Sequence, residues 1–364
     1  MTDPPVIKEL PELGSSASCA RSFLWGTVVF LAITVVGLYY VKWAPYFHRA
    51  SVAAAQHTIG VSIISGKAAA PPAAGWQAAW SYTTAYFKAI WQAMFLGLLI
   101  GSGAEVLLPR GRLARVFGAS GFRSTAAAGG ASISSMMCTC CAAPIAVALR
   151  SSRASVGATL AYWLGNPMLN PATIIFTGFV LGWGWAGMRV AAGAALAFGV
   201  AHLAGSVKPA SGQLGQAPSG GAAEGGGTSI SLMRRWLQAL WQLSVALVPE
   251  YVVIVATLGA FRAWLFPAVN PAIGHSVWFM ILLAIAGTLF VIPTAGEIPI
   301  VQTLMSFGLG AGGASVLLIT LPPVSLPSLV MLSRVVPAKA LALVALSVVA
   351  LGLLAGGTAQ LLGF

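Results

Sequence analysis

The stretch that decides the fold opens with Ser134-Ser135-Met136-Met137-Cys138-Thr139-Cys140-Cys141-Ala142-Ala143-Pro144 and closes with Gly165-Asn166-Pro167-Met168-Leu169-Asn170-Pro171. Three of the four cysteines of the chain fall within four residues here, inside an apolar run. Each proline removes a backbone donor and loosens the helix in which it stands. Broken backbone is tolerated at membrane depth only where it is buried in protein or lines a polar cavity. The stretch therefore indicates a transport site with soft ligands beside broken membrane helices.

The composition around this stretch is that of a membrane protein. Of the 364 residues, 58% are hydrophobic and 7% are charged, against roughly 25% charged residues in a soluble domain. We therefore predict an all-α polytopic membrane protein whose main partner is the lipid bilayer. The net charge of +12 does not indicate nucleic acid, because the basic residues stand between apolar runs, where they set topology and contact anionic lipids.

Apolar runs of spanning length recur along the chain. They lie near residues 23–41, 84–108, 125–149, 155–182, 186–206, 237–259, 276–299, 313–333 and 338–361. A Gly-rich stretch between the fifth and sixth runs is typical of a flexible linker. The predicted domains are a cytoplasmic N-terminal tail (1–22), a first membrane helix with a periplasmic interfacial segment (23–83), a first permease repeat (84–206), the linker (207–236) and a second permease repeat (237–364).

The two halves share an internal spacing. The matching pairs are Gly157 with Gly313, Pro167 with Pro323, and Pro171 with Pro327. Pro144 matches Pro299 once a one-residue loop difference is allowed. Internal duplication is the usual plan of secondary transporters, which hold their substrate at the repeat interface. The pattern predicts two related repeats, transport by rocking of one half against the other, and a site between them.

The distribution of basic residues predicts how the runs cross the membrane. If all nine runs cross, the 19 Lys and Arg divide about evenly between the two sides, which is no bias under the positive-inside rule. If 125–149 and 276–306 are re-entrant hairpins, the split becomes about 13 cytoplasmic to 6 outside. We therefore predict seven crossings and two opposed hairpins, with the second repeat inverted relative to the first.

Two acidic residues, Glu250 and Glu297, lie inside apolar runs and beside prolines. A charge at a helix centre costs about 2.5–3.5 kcal/mol on the insertion scale, so such residues usually face an interior path. They are the candidate proton-coupling groups, with protons as the coupling ion. The alternative is that each carboxylate forms a structural hydrogen bond to broken backbone.

The cysteines carry the sharper signal. Adjacent free thiols can hold a soft metal or metalloid through two sulfurs, and a hairpin entered from the cytoplasm would keep them reduced. We expect Cys138 and Cys140 to converge at a tight hairpin tip and Cys141, next to Cys140 in a helix, to point away. The alternative is simple packing. Structural zinc needs four ligands at recognisable spacing, so neither a resident metal nor another cofactor is expected.

Two further patterns distinguish a permease from a channel and from an ATP-driven pump. Asn170-Pro171-Ala172 and Asn270-Pro271-Ala272 resemble the paired triplets of water and glycerol channels, but the internal alignment pairs Asn170 with Leu326. The triplets are therefore not equivalent positions of the two halves, and a channel is the weaker interpretation. The chain also has no nucleotide-binding loop, so we expect no ATPase domain to power transport. A permease is not expected to be an enzyme.

Four motifs together resemble a known family. They are Cys138-Thr139-Cys140 followed by Pro144, Gly165 to Pro171, Gly296-Glu297-Ile298-Pro299, and Pro323-Val324-Ser325-Leu326-Pro327. They resemble the predicted permeases that include the ArsP organoarsenical efflux proteins, over roughly residues 84–361 apart from the linker. The resemblance implies a multi-pass permease of the bacterial inner membrane, with ArsP members exporting trivalent organoarsenicals. The sequence departs from the family pattern at Thr139 (usually Ser), at Asn166 (usually Pro) and at Cys141, an additional thiol.

The resulting prediction is an efflux permease with thiols as substrate ligands. The predicted substrate-binding residues are Cys138, Cys140, Cys141, Asn166 and Asn170, and the predicted helix-breaking residues are Pro144, Pro167, Pro171, Pro299, Pro323 and Pro327. Two alternatives remain open at this point. One is a transporter of another small solute, such as an oxyanion or a sulfur compound, with structural or redox cysteines. The other is a non-transporting membrane subunit that holds a metal or a partner.

Overall fold

The computed structural model describes residues 14–68, 70–107, 110–207, 229–269 and 273–363. These residues form α-helices with two short π-helical turns, and no strand occurs among them. Five helices are long and apolar enough to cross a membrane: Trp25–Gln56, Trp76–Val106, Trp183–Gly205, Met233–Ala260 and Ala338–Leu362. The predicted all-α membrane fold is therefore confirmed. Most of the predicted tail, most of the predicted linker and the second Asn-Pro-Ala triplet lie outside the described residues.

The first crossing is longer than the apolar run that predicts it. Helix α1 (Gly14–Leu38) passes through a π-helical turn (Tyr39–Trp43) into α2 (Ala44–Gln56) without a break. The candidate membrane span in this rod, Trp25–Gln56, has 32 residues, or about 48 Å at 1.5 Å per residue, against a hydrocarbon core of about 30 Å. The helix ends where His57 takes a left-handed backbone conformation (φ 52°).

The first half continues with a long helix, α3 (Trp76–Leu107), and a short one, α4 (Arg110–Phe117). An interrupted pair follows, α5 (Phe122–Ser135) and α6 (Thr139–Ser151). The arms of this pair have 14 and 13 residues, about 20 Å each, which is too short to cross the hydrocarbon core. The interruption coincides with the cysteine stretch, as predicted.

A broken helix and a long helix complete the first half. The broken helix consists of α7 (Val156–Met168) and α8 (Pro171–Val180). Then α9 (Trp183–Ala194) continues through a π-helical turn into α10 (Ala201–Gly205). The break in the middle has a local cause, because the Asn170 side chain caps α8 by accepting a hydrogen bond from the Ala172 N–H at 3.0 Å.

The second half repeats this order. Its helices are α11 (Ser229–Ala260), the single turn α12 (Arg262–Leu265), the interrupted pair α13 (Val277–Leu289) and α14 (Glu297–Ser306), the broken helix α15 (Ala311–Thr320) and α16 (Leu326–Ser333), and α17 (Ala338–Leu362). Ser325 caps α16 in a reciprocal arrangement with Ser328. Each half thus contains a long helix, an interrupted pair, a broken helix and another long helix.

The two halves also pack crosswise. The second arm of the first interrupted pair, α6, contacts α16 of the second half, and α14 in turn contacts α8 of the first half. The long helices α3 and α11 pack along each other. This exchange supports the predicted duplication. The two broken helices, added to the five long ones, would make the seven predicted crossings. The side of the membrane reached by each segment, and with it the inversion, stays a prediction.

The prolines do not all act as predicted. Pro171, Pro299 and Pro327 lie in the first turns of α8, α14 and α16, where the missing N–H has no helical partner in any case. These three therefore begin helices rather than break them. Pro144 stands inside α6, which continues for seven more residues, so the interpretation of Pro144 as a helix breaker is wrong. Its local effect is to leave the Cys140 carbonyl without its helical donor.

Candidate substrate site

The three cysteines of the first interrupted pair form one cluster of sulfurs. The Sγ atom of Cys138 lies 3.0 Å from that of Cys140 and 2.9 Å from that of Cys141. All three sulfurs lie within 4.8 Å of one another, and all three residues are buried. We call these residues the thiol cluster. Within the described part of the chain it is the one group of three cysteine, histidine or acidic residues placed to hold a metal ion.

The expectation that Cys141 points away is wrong. Met136 ends α5 in a left-handed conformation (φ 49°), and Cys138 precedes α6 as its extended N-cap residue. Because Cys138 stands outside the helix, its side chain lies over the first turn, where both following cysteines project. The argument that adjacent side chains diverge on a helix holds for Cys140 and Cys141 only as a pair. It does not prevent a third sulfur from touching both.

On the side of the long helices, the thiol cluster meets a short chain of hydroxyl groups. The Tyr86 hydroxyl of α3 lies 3.0 Å from Cys140 Sγ and 2.6 Å from the Tyr251 hydroxyl of α11. Both tyrosines are buried. Gly97 lets α3 approach α6 closely, since a Cβ at this position would lie 2.5 Å from the Cys141 carbonyl oxygen. The long helices of both halves therefore form part of the wall around the sulfurs.

Asn166 holds the turn that leads into the thiol cluster. Its Oδ1 atom accepts hydrogen bonds from the Ser135 hydroxyl at 2.6 Å and from the Met137 N–H at 3.2 Å. Its Nδ2 atom donates to the Tyr162 carbonyl at 2.9 Å. Both ends of the amide thus have protein partners, which is the geometry of a residue that positions Cys138. A direct contact between Asn166 and substrate stays a prediction.

Asn170 differs from Asn166 in this respect. Its Oδ1 atom caps α8, but its Nδ2 atom is buried without a hydrogen-bond partner among the described residues. A buried amide donor without a partner is uncommon in folded proteins. Asn170 therefore retains a free donor at the break between α7 and α8, where it was predicted to act.

The thiol cluster is also tied to the second half of the molecule. The Thr139 hydroxyl donates to the Pro323 carbonyl at 3.2 Å and lies 3.3 Å from the Ser328 hydroxyl. On its other side, the Trp163 indole donates to the Thr139 carbonyl at 3.2 Å. The residue between the first two cysteines thus contacts the break between α15 and α16. A change in how the halves pack would move the sulfurs.

A buried ion pair joins the halves at a second point. Arg189 of α9 and Glu297 at the start of α14 approach to 2.6 Å, and both are about 1% exposed or less. Arg189 also donates to the carbonyls of Pro167 (2.8 Å) and Met168 (3.4 Å) at the end of α7. Sequence analysis did not select Arg189, although a single arginine within an apolar run is itself a signal of an interior contact.

Each of the two candidate proton-coupling carboxylates has an arginine as its partner. Glu297 has Arg189 as its counterion, and Glu250 forms an ion pair with Arg334. The two pairs differ in burial, because the side chains of Arg334 and Glu250 are 36% and 33% exposed. Only the Arg189–Glu297 pair combines full burial with a position at an interrupted helix pair. A role in proton coupling stays a prediction for both carboxylates.

A cavity of about 270 Å³ reaches the thiol cluster at Cys138. Its walls come from the first crossing, the loop after α2, α3 and the turn before α14, and we call this space the Lys42 cavity. Its polar and charged lining residues are Lys42, Arg49, Tyr46, Gln92 and Thr294. The buried Lys42 ammonium donates to the Tyr46 hydroxyl at 3.2 Å and to the Thr294 hydroxyl at 3.3 Å. Sequence analysis did not select these residues.

Comparison with known proteins shows that the sequence matches a family of predicted permeases. The family profile ArsP_1, described as a predicted permease, matches residues 76–360. The UPF0718 protein YraQ of Escherichia coli (strain K12) is 46% identical over 318 residues, which cover 86% of this chain and 89% of that protein. The UPF0718 protein MJ0584 of Methanocaldococcus jannaschii is 29% identical over 96 residues, 26% of each chain. No solved structure matches the chain.

Proposed function

The chain belongs to the ArsP_1 family of predicted permeases, and on this premise we propose that it exports a soft metalloid or metal species, such as a trivalent organoarsenical, by secondary active transport. Its family and its five spanning helices make it a multi-pass membrane permease. The observation that carries the choice of substrate is the buried thiol cluster. The proposed location is the bacterial inner membrane.

The thiol cluster can bind trivalent arsenic without any change of oxidation state. An organoarsenical with two hydroxyl groups on arsenic reacts with two thiols, so that two As–S bonds form and two As–O bonds break. Each leaving hydroxide takes the proton of the attacking thiol and departs as water. Thiol sulfur is the soft ligand that such centres prefer. Because the reaction is reversible by water, the same site can release its cargo.

A third thiol helps a transporter in particular. Cys138 touches both other sulfurs, so it can keep arsenic bound while Cys140 and Cys141 exchange as the second ligand. A transport site must bind its substrate well enough to capture it and weakly enough to let it leave. Exchange within the thiol cluster provides a path of partial release that a two-thiol site does not have.

The ion pair between the halves supports coupling to protons. Protonation of Glu297 would remove the charge that holds Arg189, and with it a buried contact between α9 and α14. Alternating access in repeat transporters proceeds by movement of one half against the other. In this proposal, a proton on Glu297 loosens one contact between the halves while substrate occupies another, at the thiol cluster.

One observation favours a second candidate function. Two cations, Lys42 and Arg49, line the cavity that reaches Cys138. A small oxyanion or an anionic sulfur compound would be attracted to that cavity whether or not the cysteines act as ligands. In that case the cysteines serve packing or redox chemistry, and transport persists without them.

The experiment that separates the candidates replaces all three cysteines by serine. Serine is nearly isosteric with cysteine but provides a hard ligand. In a host sensitive to trivalent organoarsenicals, the unaltered chain should confer resistance and the triple variant should not, at equal protein level. Cys19→Ser, which changes the fourth cysteine of the chain, is the matched control. Full resistance with the triple variant, or none with the unaltered chain, contradicts the proposal and favours the second candidate.

A further inference from the structure

The Lys42 cavity holds two positive charges and no described counterion. Lys42 is only 3% exposed, and Arg49 lies in the same wall nearer to solvent. No acidic side chain of the described residues lines the cavity. Arg189 and Arg334 form ion pairs with acidic residues elsewhere in the described structure. The electrostatic potential inside the cavity is therefore positive.

The position of Lys42 is costly without a ligand. Lys42 is buried, and buried charges in proteins are generally paired. The partners of Lys42 are two neutral hydroxyl groups and the face of the Tyr46 ring, 5.3 Å from the ammonium nitrogen. An ammonium group donates three hydrogen bonds. One donor therefore remains for a group that enters the cavity, and an anion is the partner that would offset the burial.

The same cavity gives access to a soft ligand. Cys138, the central member of the thiol cluster, is the one cysteine in its lining. The volume of about 270 Å³ is close to the lower end of the range of roughly 300–1,000 Å³ for small-molecule sites. A single small molecule can thus contact Cys138 with one end while its other end lies among the cations. A neutral substrate with only a methyl group would leave the cations unused.

The cations come from a part of the chain that the family profile does not include. The profile begins at residue 76, whereas Lys42 and Arg49 belong to the first crossing and its extension, α2. Lys42 reaches the permease half through Thr294, which is 252 residues away in the sequence. The first crossing therefore adds a charged wall to a site whose thiols lie in the family region.

We propose that the Lys42 cavity is an anion subsite of the transport site, so that the preferred substrate combines a thiol-reactive soft centre with a carboxylate or another anionic group. Cys138 binds the soft centre, and Lys42 and Arg49 bind the anionic group. This inference rests on the proposed function, because it assigns a substrate class to the same site. It predicts selectivity between two arsenicals that differ only in charge.

The test compares two trivalent arylarsenicals in proteoliposomes, phenylarsonous acid, which is neutral, and its 4-carboxy derivative, which is anionic at pH 7. The measured quantity is the KM for each probe. Lys42→Gln keeps a hydrogen-bond donor but removes the charge, and it should raise the KM ratio of the anionic to the neutral probe about tenfold, which corresponds to one charge-assisted hydrogen bond. Lys42→Arg keeps the positive charge, so its KM ratio should stay close to that of the unaltered protein.

Two further variants complete the design. Lys88→Gln removes a positive charge from the exposed side of α3, outside the cavity, and should leave the KM ratio unchanged. Arg49→Gln, at an exposed position, should raise the ratio by a smaller factor than Lys42→Gln, and it decides the question if Lys42→Gln fails to accumulate. An unchanged ratio in the Lys42 and Arg49 variants overturns the anion subsite while the proposed function stands. Transport of neither probe by the unaltered protein overturns both.

Discussion

The position of Cys138, and with it the geometry of the thiol cluster, is set by the backbone conformation before α6. Cys138 is the last of the three residues between α5 and α6, and its sulfur contacts both other thiols. The sequence was sufficient to predict that the cysteines lie at an interrupted helix pair. It was not sufficient to predict a cluster of three, because the position of Cys138 depends on the left-handed conformation of Met136, which is a single backbone choice that no side-chain pattern encodes.

The residues missed by sequence analysis were missed for a common reason. Arg189 and Lys42 are single cations in or beside apolar runs, and the pattern says only that such a charge faces an interior contact. Their partners are remote in sequence, 108 residues from Arg189 to Glu297 and 252 from Lys42 to Thr294. Which helices meet at these points is decided by tertiary packing. The motif residues, by contrast, lie close together in the chain.

The geometry of the thiol cluster predicts unequal effects of single substitutions. Cys138→Ser leaves two thiols without the sulfur that each of them contacts, so it should weaken arsenical binding most, by tenfold or more. Cys140→Ser and Cys141→Ser each leave Cys138 with one partner and should have smaller effects of similar size. Binding of phenylarsonous acid to detergent-solubilised protein measures the order. Equal losses in all three variants would show that the sulfurs do not act through Cys138.

The buried Arg189–Glu297 pair predicts that substitutions can change the stability of the protein and its proton-driven transport independently. Glu297→Gln removes the counterion of Arg189, and an unpaired buried charge costs about 3–5 kcal/mol, so the melting temperature should fall and proton-driven transport should be lost. The double variant Glu297→Gln with Arg189→Gln should regain stability without regaining transport. Glu250→Gln is the comparison, because a half-exposed pair contributes only about 0–1 kcal/mol. Full proton-driven transport by the double variant contradicts a coupling role for Glu297.

At the scale of helices, the prolines predicted where helices are interrupted, but not whether each proline ends a helix, begins one or stands inside one. Breaks occur near Pro167, Pro171, Pro299, Pro323 and Pro327, but several of these residues begin a helix, and Pro144 stands within one. A proline fixes φ and lacks a donor in every position, so sequence shows a disturbance of helical bonding. Whether the disturbance falls in a first turn or an interior turn depends on capping by residues such as Asn170 and Ser325.

The close approach of α3 to α6 gives a prediction at the scale of helices. In Gly97→Ala the new Cβ would lie 2.5 Å from the Cys141 carbonyl oxygen, so the two helices must separate beside the thiol cluster. We expect a lower melting temperature in detergent and weaker arsenical binding. Gly130→Ala in α5 is the matched control, because a Cβ there meets no heavy atom within 4 Å and alanine favours the helix by about 1 kcal/mol. Equal melting temperatures for both variants would contradict the packing argument.

At the scale of the whole molecule, the order of helices in the two halves is consistent with the duplication that the sequence predicts, and the duplication itself stays a prediction. The spacing of a few glycines and prolines predicted two related halves, and each half contains the same order of long, interrupted and broken helices. The crosswise contacts of α6 with α16 and of α14 with α8 place the interrupted pair of each half against the other half. If substrate binds at the thiol cluster, as we propose, it would bias how the halves pack, as a rocking transporter requires.

The side of the membrane that the ends of each interrupted pair reach can be measured directly, and alternating access between inverted repeats depends on it. Arg123 and Arg153 stand at the outer ends of α5 and α6, and both are exposed. If this pair is a re-entrant hairpin, single cysteines at 123 and 153 should both react with a membrane-impermeant maleimide from the cytoplasmic side.

His275 and Ser306 occupy the corresponding ends of α13 and α14 and are likewise exposed. Because an inverted repeat places its hairpin on the opposite face, cysteines at 275 and 306 should both react from the periplasmic side. Arms that emerge on different sides would remove the hairpins, whereas four positions on one side would leave the hairpins and remove the inversion.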